Sequence, residues 1–383
     1  MRVVMSFVGG WGHAEPLLPI AKWARRLGHH VSFAGQAALS DRLVRLGYPV
    51  DVIGPDTLAT ARLPLVPIDR LAEQAAMRDH FIGRFGRSRA VLLGELFDRE
   101  GVELVVCDEV DVGAVIAAER RDIPCVTVNV IAAGLLTAPT VIGAAWDALR
   151  QDHGLTPDPD ARRINGEIMI APLPGSLRNP NVPAPSTLRF VRPPILDGHG
   201  PGHDVAERRS LVYVTLGTVF NLESGDLLPR LVHAMNLLTA TDDVDVVITT
   251  GHHIHRDDLP PPAARVRIEK FVSQRELLHR CRAVVCHAGS GTLVDALSLG
   301  IPVVALPLGA DQPDNADRCQ ELGVGMTLDA TAAGPDRIAH ATTTVLHDQA
   351  FTDAATTLAT EAQNQPLLED QPELQRLLAS SAP

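Results

Sequence analysis

The strongest constraint on what this chain can fold into is a recurrence of short apolar runs, each of strand length, separated by amphipathic stretches. The first series holds RVVMSFV at 2–8, HVSFA at 30–34, ELVVC at 103–107 and CVTVNV at 125–130. A second holds LVYVTLG at 211–217, DVVITTG at 245–251, RVRIEKF at 265–271, AVVCH at 283–287 and PVVALP at 302–307. Runs that are apolar at consecutive positions bury both faces, the state of parallel strands covered by helices. The fold class is therefore α/β. A first helix is marked after the first run: it opens near Pro16, places Leu17, Ile20, Ala21, Ala24 and Leu27 at helical spacing, and stops at Gly28.

Between the two series lies RPPILDGHGPGHD at 192–204, rich in proline and glycine, as interdomain connections are. The expected organisation is an N-terminal domain over 1–195, a linker over 196–208 and a second domain over 209–365. The final segment, 366–383, carries Leu367, Leu368, Leu374, Leu377 and Leu378 and is expected to be a helix docking back on the first domain. Both halves read as doubly wound, Rossmann-like sheets, whose ligands bind beyond the carboxyl ends of the strands. The cleft between them is the expected site.

At 383 residues, with 45% apolar and 21% charged side chains, the chain can fill two or three cores, which excludes a peptide, a disulfide mini-protein or a lone binding module and argues against global disorder. Its 46 acidic against 34 basic residues give a net charge of -12, which repels nucleic acid and anionic membrane. Five cysteines, Cys107, Cys125, Cys281, Cys286 and Cys319, lie mostly inside apolar runs with no CxxC pair, and read as reduced thiols of a cytoplasmic protein. The opening MRVVMSF reads as a first strand rather than a signal core, and no run reaches the roughly 18 apolar residues of a membrane span. Oligomeric state is not encoded in these patterns, and a homodimer stays open.

The most specific stretch is HAGSGTLVDALSLGIPVVALPLGADQPDNADRCQELGVG, 287–325. A buried strand ends at His287, a turn of Gly289, Ser290 and Gly291 follows, and a helix is expected from Thr292 to Gly300. Small residues at a helix start let amide N–H groups approach an anion, and the helix dipole favours negative charge there. The turn has neither the lysine of a nucleotide-triphosphate loop nor a GxGxxG dinucleotide pattern, which disfavours ATP hydrolysis and a nicotinamide dehydrogenase. Taken alone it could equally be a plain strand-to-helix turn.

This block, together with GGWGHAEPLLPIAKWARRLGHHVSF, VVCDEVDVGAVIAAERRDIPCVTV and EKFVSQRELL, resembles the inverting GT-B glycosyltransferases of family one. That group holds plant natural-product glucosyltransferases and bacterial antibiotic glycosyltransferases. The resemblance covers nearly the whole chain and implies a GT-B fold, two Rossmann-like domains facing across a cleft. It also implies a nucleotide-sugar donor site in the second half. It sets the base against Phe271 and the backbone of Val272, with Gln274 beside them and Asp295 on the ribose. His287, Gly289 and the amides of Ser290, Gly291 and Thr292 would meet the diphosphate, with Gly12 and Thr218 across the cleft from it. Asp311 and Gln312 would hold sugar hydroxyls. Two positions depart from the family: Ser273 stands where a proline is usual, and Asp295 where a glutamate grips the ribose. The donor could carry UDP or dTDP.

His13 follows the first strand in a Gly-rich turn, and the resemblance makes it the general base, with Asp108 as the acid that orients it. A carboxylate on one imidazole nitrogen fixes the tautomer and stabilises the cation formed when the other nitrogen takes a proton. Asp111 and, more weakly, Glu109 rival Asp108 for the role. The acceptor, a hydrophobic small molecule, is expected to meet Trp11, the irregular span 55–100 and the neighbourhood of Trp146, with Met77, Phe81, Phe85 and Leu93 as walls or, equally, as a core helix.

No cofactor and no metal are expected. The DxD tripeptides at Asp158–Asp160 and Asp243–Asp245 look accidental, and His252, His253 and His255 of GHHIH lack a fourth ligand at fixed spacing. The reading is a metal-independent transferase moving a sugar to a hydroxyl of a secondary metabolite. Its rivals are a nucleotide-sugar 2-epimerase, which needs no acceptor, and a non-catalytic nucleotide-sugar binder, which needs no base.

Overall fold

The computed structural model describes residues 1–54, 56, 61–197 and 211–379. Residues 198–208, most of the expected linker, lie outside the described residues, as do 55 and 57–60 of the span assigned to the acceptor and the last four of the expected terminal helix. The nine apolar runs all become strands. The first half forms a sheet of β1 (Arg2–Ser6), β2 (His30–Gly35), β3 (Val50–Val52), β4 (Leu104–Asp108), β5 (Cys125–Val128), β6 (Ile168–Ala171) and β7 (Leu188–Phe190), in the order β3-β2-β1-β4-β5-β6-β7. The second forms β8 (Leu211–Thr215), β9 (Asp245–Thr249), β10 (Val266–Glu269), β11 (Cys281–Cys286), β12 (Val303–Ala305) and β13 (Gly325–Thr327), in the order β10-β9-β8-β11-β12-β13. Every pairing is parallel.

The central strands β4 and β8 are buried along their whole length, because helices cover both faces. On the first sheet, Val105 and Cys107 face one apolar cluster with Ile116 and Leu93, while Leu104 and Val106 face another with Ile20 and Leu17. Each such side chain, fully buried, stabilises the fold by about 1.5–3 kcal/mol over its exposed state. All five cysteines are buried and free, and Cys107 and Cys125 make a sulfur contact at 3.8 Å. No helix among the described residues is long and apolar enough to cross a membrane.

Parallel sheets put the carboxyl ends of their strands on one edge, and in each half the expected site residues gather there: His13 after β1, Asp108 at the end of β4, His287 after β11 and Asp311 after β12. The chain crosses between the halves again near its end. The helix Pro372–Ala379 buries Leu374 and Leu378 in the cluster of Leu17, Ile20 and Trp23, and Arg189 pairs with Glu373 at 2.8 Å.

Three local expectations are corrected. The first helix does not begin at Pro16: a short helix Trp11–Ala14 carries His13, a tight turn Glu15–Leu17 holds Pro16, and the main helix is Leu18–Arg26, leaving Leu27 half exposed. The helix after the Gly-Ser-Gly turn spans Ser290–Ser298, so the turn's own serine is its first residue. Of the described residues in the span 55–100, 61–69 carry no regular element. From Arg70 it is helical to Glu100, in three contiguous pieces (Arg70–Ala76, a wider-wound Met77–Phe85, and Gly86–Glu100), opened by Asp69, whose carboxylate accepts from the amides of Leu71 and Ala72.

Candidate active site

The His13 turn is built from glycine. Gly9 sits at a φ of +114°, and a Cβ there would stand 2.7 Å from the His13 ring. The absence of a side chain at position 9 is what lets the imidazole fold back over the end of β1. His13 Nδ1 then lies 3.6 Å from Asp108 Oδ1, the imidazole 28% exposed and the carboxylate wholly buried. The gap is longer than a hydrogen bond. Asp108 is itself held by backbone: Oδ2 accepts from Val8 at 2.7 Å, and Oδ1 from Val110 at 2.8 Å and Asp111 at 3.1 Å. Burial disfavours the His13 cation, yet the nearby Asp108 carboxylate, joined by the fields of Asp311 and Glu109, holds its pKa above the ordinary value.

The structure separates the three carboxylates of DEVD by what each already touches. Asp111 caps the helix Val112–Glu119 and is clamped by Arg89, with Arg89 Nη2 at 2.6 Å. Glu109 accepts from the amides of Val130 and Ile131, both at 2.7 Å, and from Asn129 at 2.6 Å, and burial pushes its pKa up to about 7. Asp108 alone of the three makes an ion-pair contact with His13.

In the second half, His287 is buried between Gly217 and Gly289, where any Cβ would collide with the imidazole. Burial pushes its pKa down to about 4, so the ring is neutral and can donate a hydrogen. Among the described residues its Nδ1 has no hydrogen-bond partner. The next residue, Ala288, takes a φ of +62°, a strained conformation for a residue with a side chain, and its carbonyl accepts from Asn315 at 3.0 Å. This bend starts the helix Ser290–Ser298, with Gly289 at its cap and Gly291 open on its exposed side.

Ser290 Oγ donates to Asp311 Oδ2 at 2.6 Å, and Asn315 donates to the same oxygen at 2.8 Å. Gln312 is buried; its oxygen accepts from Leu308 at 2.8 Å, so only its amide nitrogen is left for a ligand. After β10, Phe271 is 45% exposed, its ring 4.2 Å from that of His252, and Val272 is half-buried beside it. Gln274 donates to Asp295 Oδ2 at 2.9 Å and accepts from Thr292 at 3.2 Å. Burial raises Asp295 to about 7. Gly12 and Thr218 are exposed.

The two halves meet at this point. The amide of Ala132 donates to Ser290 Oγ at 2.8 Å and that of Ala133 to Asn315 Oδ1 at 3.0 Å, while Glu73 reaches the Ala310 amide from the other side. Asn315 carries no signal beyond its place four residues after Asp311, and the two alanines carry none.

The acceptor walls need correction. Trp146 is fully buried and its indole N–H donates to Asp158 at 2.9 Å. Met77 and Leu93 lie in the same apolar core, because this face of their helices packs on the sheet. Trp11 is 9% exposed and its ring is covered by the Arg42 guanidinium, 3.3 Å from the ring centroid. Phe81 and Phe85, edge to face at 5.9 Å, are half-buried, Phe81 against that same core, and Phe85 lines a small cavity with Val8 and Gly9 behind the His13 turn. Both DxD tripeptides serve structure: Asp158 also accepts from Arg163 at 2.8 Å, and Asp243 pairs with Arg265. His252, His253 and His255 are exposed.

Comparison with known proteins sharpens this picture. Residues 234–373 match the family described as Erythromycin biosynthesis protein CIII-like, C-terminal domain. The chain is 26% identical to the 3-alpha-mycarosylerythronolide B desosaminyl transferase of Saccharopolyspora erythraea over 91% of each protein. Its fold is that of the calicheamicin glycosyltransferase CalG4, at a TM-score of 0.77 and 20% identity over 100% of this chain and 99% of that one. Equally, it is that of the glycosyltransferase VinC in complex with dTDP, at 0.74 and 22% over 99% of each. Two parallel-sheet domains of GT-B fold, a matching C-terminal domain and relatives of this kind along its length support a glycosyltransferase similar to the bacterial natural-product and antibiotic group that its sequence resembles.

Proposed function

We propose that this glycosyltransferase moves a sugar from a nucleoside diphosphate to a hydroxyl of a hydrophobic secondary metabolite, with inversion and without a metal. The observation that carries the reading is the opposition of His13 and its buried partner Asp108, in one half, to the Ser290 helix start and Asp311 in the other, close enough that the charge of Asp311 acts on His13. An alcohol is a poor nucleophile at neutral pH. As its oxygen bonds to the anomeric carbon, its proton passes to His13, and Asp108 stabilises the resulting imidazolium; a base so placed contributes roughly 10²- to 10⁴-fold. The bond from the anomeric carbon to the diphosphate breaks on the opposite face, so an α-linked donor gives a β-glycoside. The neutral N–H of His287 and the amides of Gly291 and Thr292 meet the charge that develops on the leaving group, which makes a divalent cation unnecessary in this reading.

Phe271 offers a flat face for a pyrimidine, and Asp311 with the Gln312 nitrogen offers acceptor and donor to the sugar. Between the two candidate donors we favour dTDP. Asp295 is one methylene shorter than the family's ribose glutamate and is already engaged by Gln274, and a neighbour in fold was solved with dTDP. For the acceptor, Phe81 and Phe85 at the mouth beside the His13 turn are the proposed contacts. The test is release of dTDP from dTDP-glucose, followed by chromatography, with and without an added polyketide aglycone. Transfer predicts release that depends on the aglycone; epimerisation or release at the same rate without it overturns the reading.

A further inference from the structure

Behind the His13 turn stands a buried ion pair that the reaction above does not use. Arg89, 4% exposed on the helix Gly86–Glu100, donates from Nε to Asp111 Oδ1 at 2.9 Å and from Nη2 to Asp111 Oδ2 at 2.6 Å. Nη2 also reaches Ser6 Oγ at 2.9 Å, and Nη1 the Ile53 carbonyl at 2.8 Å. The Ser6 hydroxyl closes the set by donating to Asp111 Oδ2 at 2.6 Å. Room is made for this clamp: a Cβ on Gly113 would stand 2.6 Å from the Cβ of Arg89.

A buried pair of this kind is weak support for stability, since well-packed apolar residues commonly serve as well or better. Its position is more informative. Ser6 ends β1, two residues before Val8, whose amide holds one oxygen of Asp108; Asp111 supplies from its own backbone an amide that holds the other. One guanidinium therefore grips both supports of the carboxylate that faces His13. It also lies beside a second negative charge: Asp108, Glu109 and Asp111 are within four positions, and among the described residues only Arg89 forms an ion pair with Asp111.

We propose that Arg89 is a positioning residue for the His13–Asp108 pair, holding Asp108 through Ser6 and Asp111 and cancelling the charge of Asp111 beside it. This rests on the reading of His13 as the base. The groups that act on His13 are Asp108 and Glu109 of its own half and Asp311 across the cleft, with Asp111 kept silent by Arg89; Arg89 in turn faces Asp111, Asp108 and the Cys107 thiol.

The test needs no acceptor. In the full chain labelled with ¹³C-histidine, the His13 signal, identified by its loss in His13→Gln, is titrated by NMR. Arg89→Met leaves Asp111 uncompensated, and the His13 midpoint should rise by about half a unit, roughly threefold in proton affinity. Asp111→Asn leaves Arg89 uncompensated, and the midpoint should fall by a similar amount. Because the two shifts have opposite signs, either variant that folds decides the matter. A folded variant with an unmoved midpoint, whatever its melting temperature, reduces Arg89 to a structural element and overturns the proposal. The dyad is checked separately: Asp108→Asn should lower the midpoint, and if it does not, the pairing of His13 with Asp108 fails independently of Arg89.

Discussion

His13 Nδ1 and Asp108 Oδ1 are 3.6 Å apart, and the carboxylate is fully buried while the imidazole keeps a quarter of its surface open. Replacing His13 by alanine should lower the transfer rate by roughly 10²- to 10⁴-fold, the worth of a general base, while the dissociation constant for dTDP by calorimetry stays within about twofold. A comparable loss of donor affinity would move His13 from base to binding residue.

The same pair sets a pH dependence. Its base form is the neutral imidazole, and Asp108 holds the His13 pKa above the ordinary value, so the acidic limb of kcat/KM should lie above that of a free histidine. Asp108→Asn removes the stabilising charge. The limb should then move to lower pH even as the plateau falls. An acidic limb that moves upward in this variant contradicts the assignment.

His287 titrates in the opposite sense. Its folded-state pKa of about 4 lies below the ordinary 6.5, so the unfolded chain takes up the proton first and stability falls as pH drops from about 6.5 towards 4. The loss should approach about 3 kcal/mol, and His287→Ala should abolish it in denaturant titrations at pH 7 and pH 4.5. In the same protein, loss of the donor from His287 should weaken dTDP binding about 10- to 100-fold, the worth of a hydrogen bond to a charged group. An unchanged constant would mean that the imidazole does not meet the diphosphate.

Gly9 offers a test through backbone alone. Gly9→Ala forces a side chain into a φ of +114° and against the His13 ring, 2.7 Å away. We expect a stability loss of about 1–3 kcal/mol and a fall in kcat well beyond it, because the ring must turn from Asp108. Melting temperature and kcat measured together distinguish this from simple destabilisation.

Much of the architecture was legible because a two-faced apolar run has few other uses than a covered parallel strand. The strands missed were β3, β7 and β13, three residues each, too short for any period to show, and β6, whose four residues sit among prolines and polar turns. His13, Asp108 and the Ser290 helix start could be read from motif and position. What keeps the rivals of Asp108 from His13 could not, since that lies elsewhere in the chain: an arginine 22 positions upstream takes Asp111, and the loop after β5 takes Glu109. Trp146 failed for a related reason. An aromatic residue on an amphipathic helix reads alike whether it lines a pocket or a core, and only the partner of its N–H, Asp158, decides.

The return of Leu374 and Leu378 to the first half has a mechanical consequence. The polypeptide passes between the halves twice, so the second half is joined to the first at two places along the chain rather than one. Deleting the last dozen residues would remove one of these joins and bare the greasy surface that Leu374 and Leu378 cover.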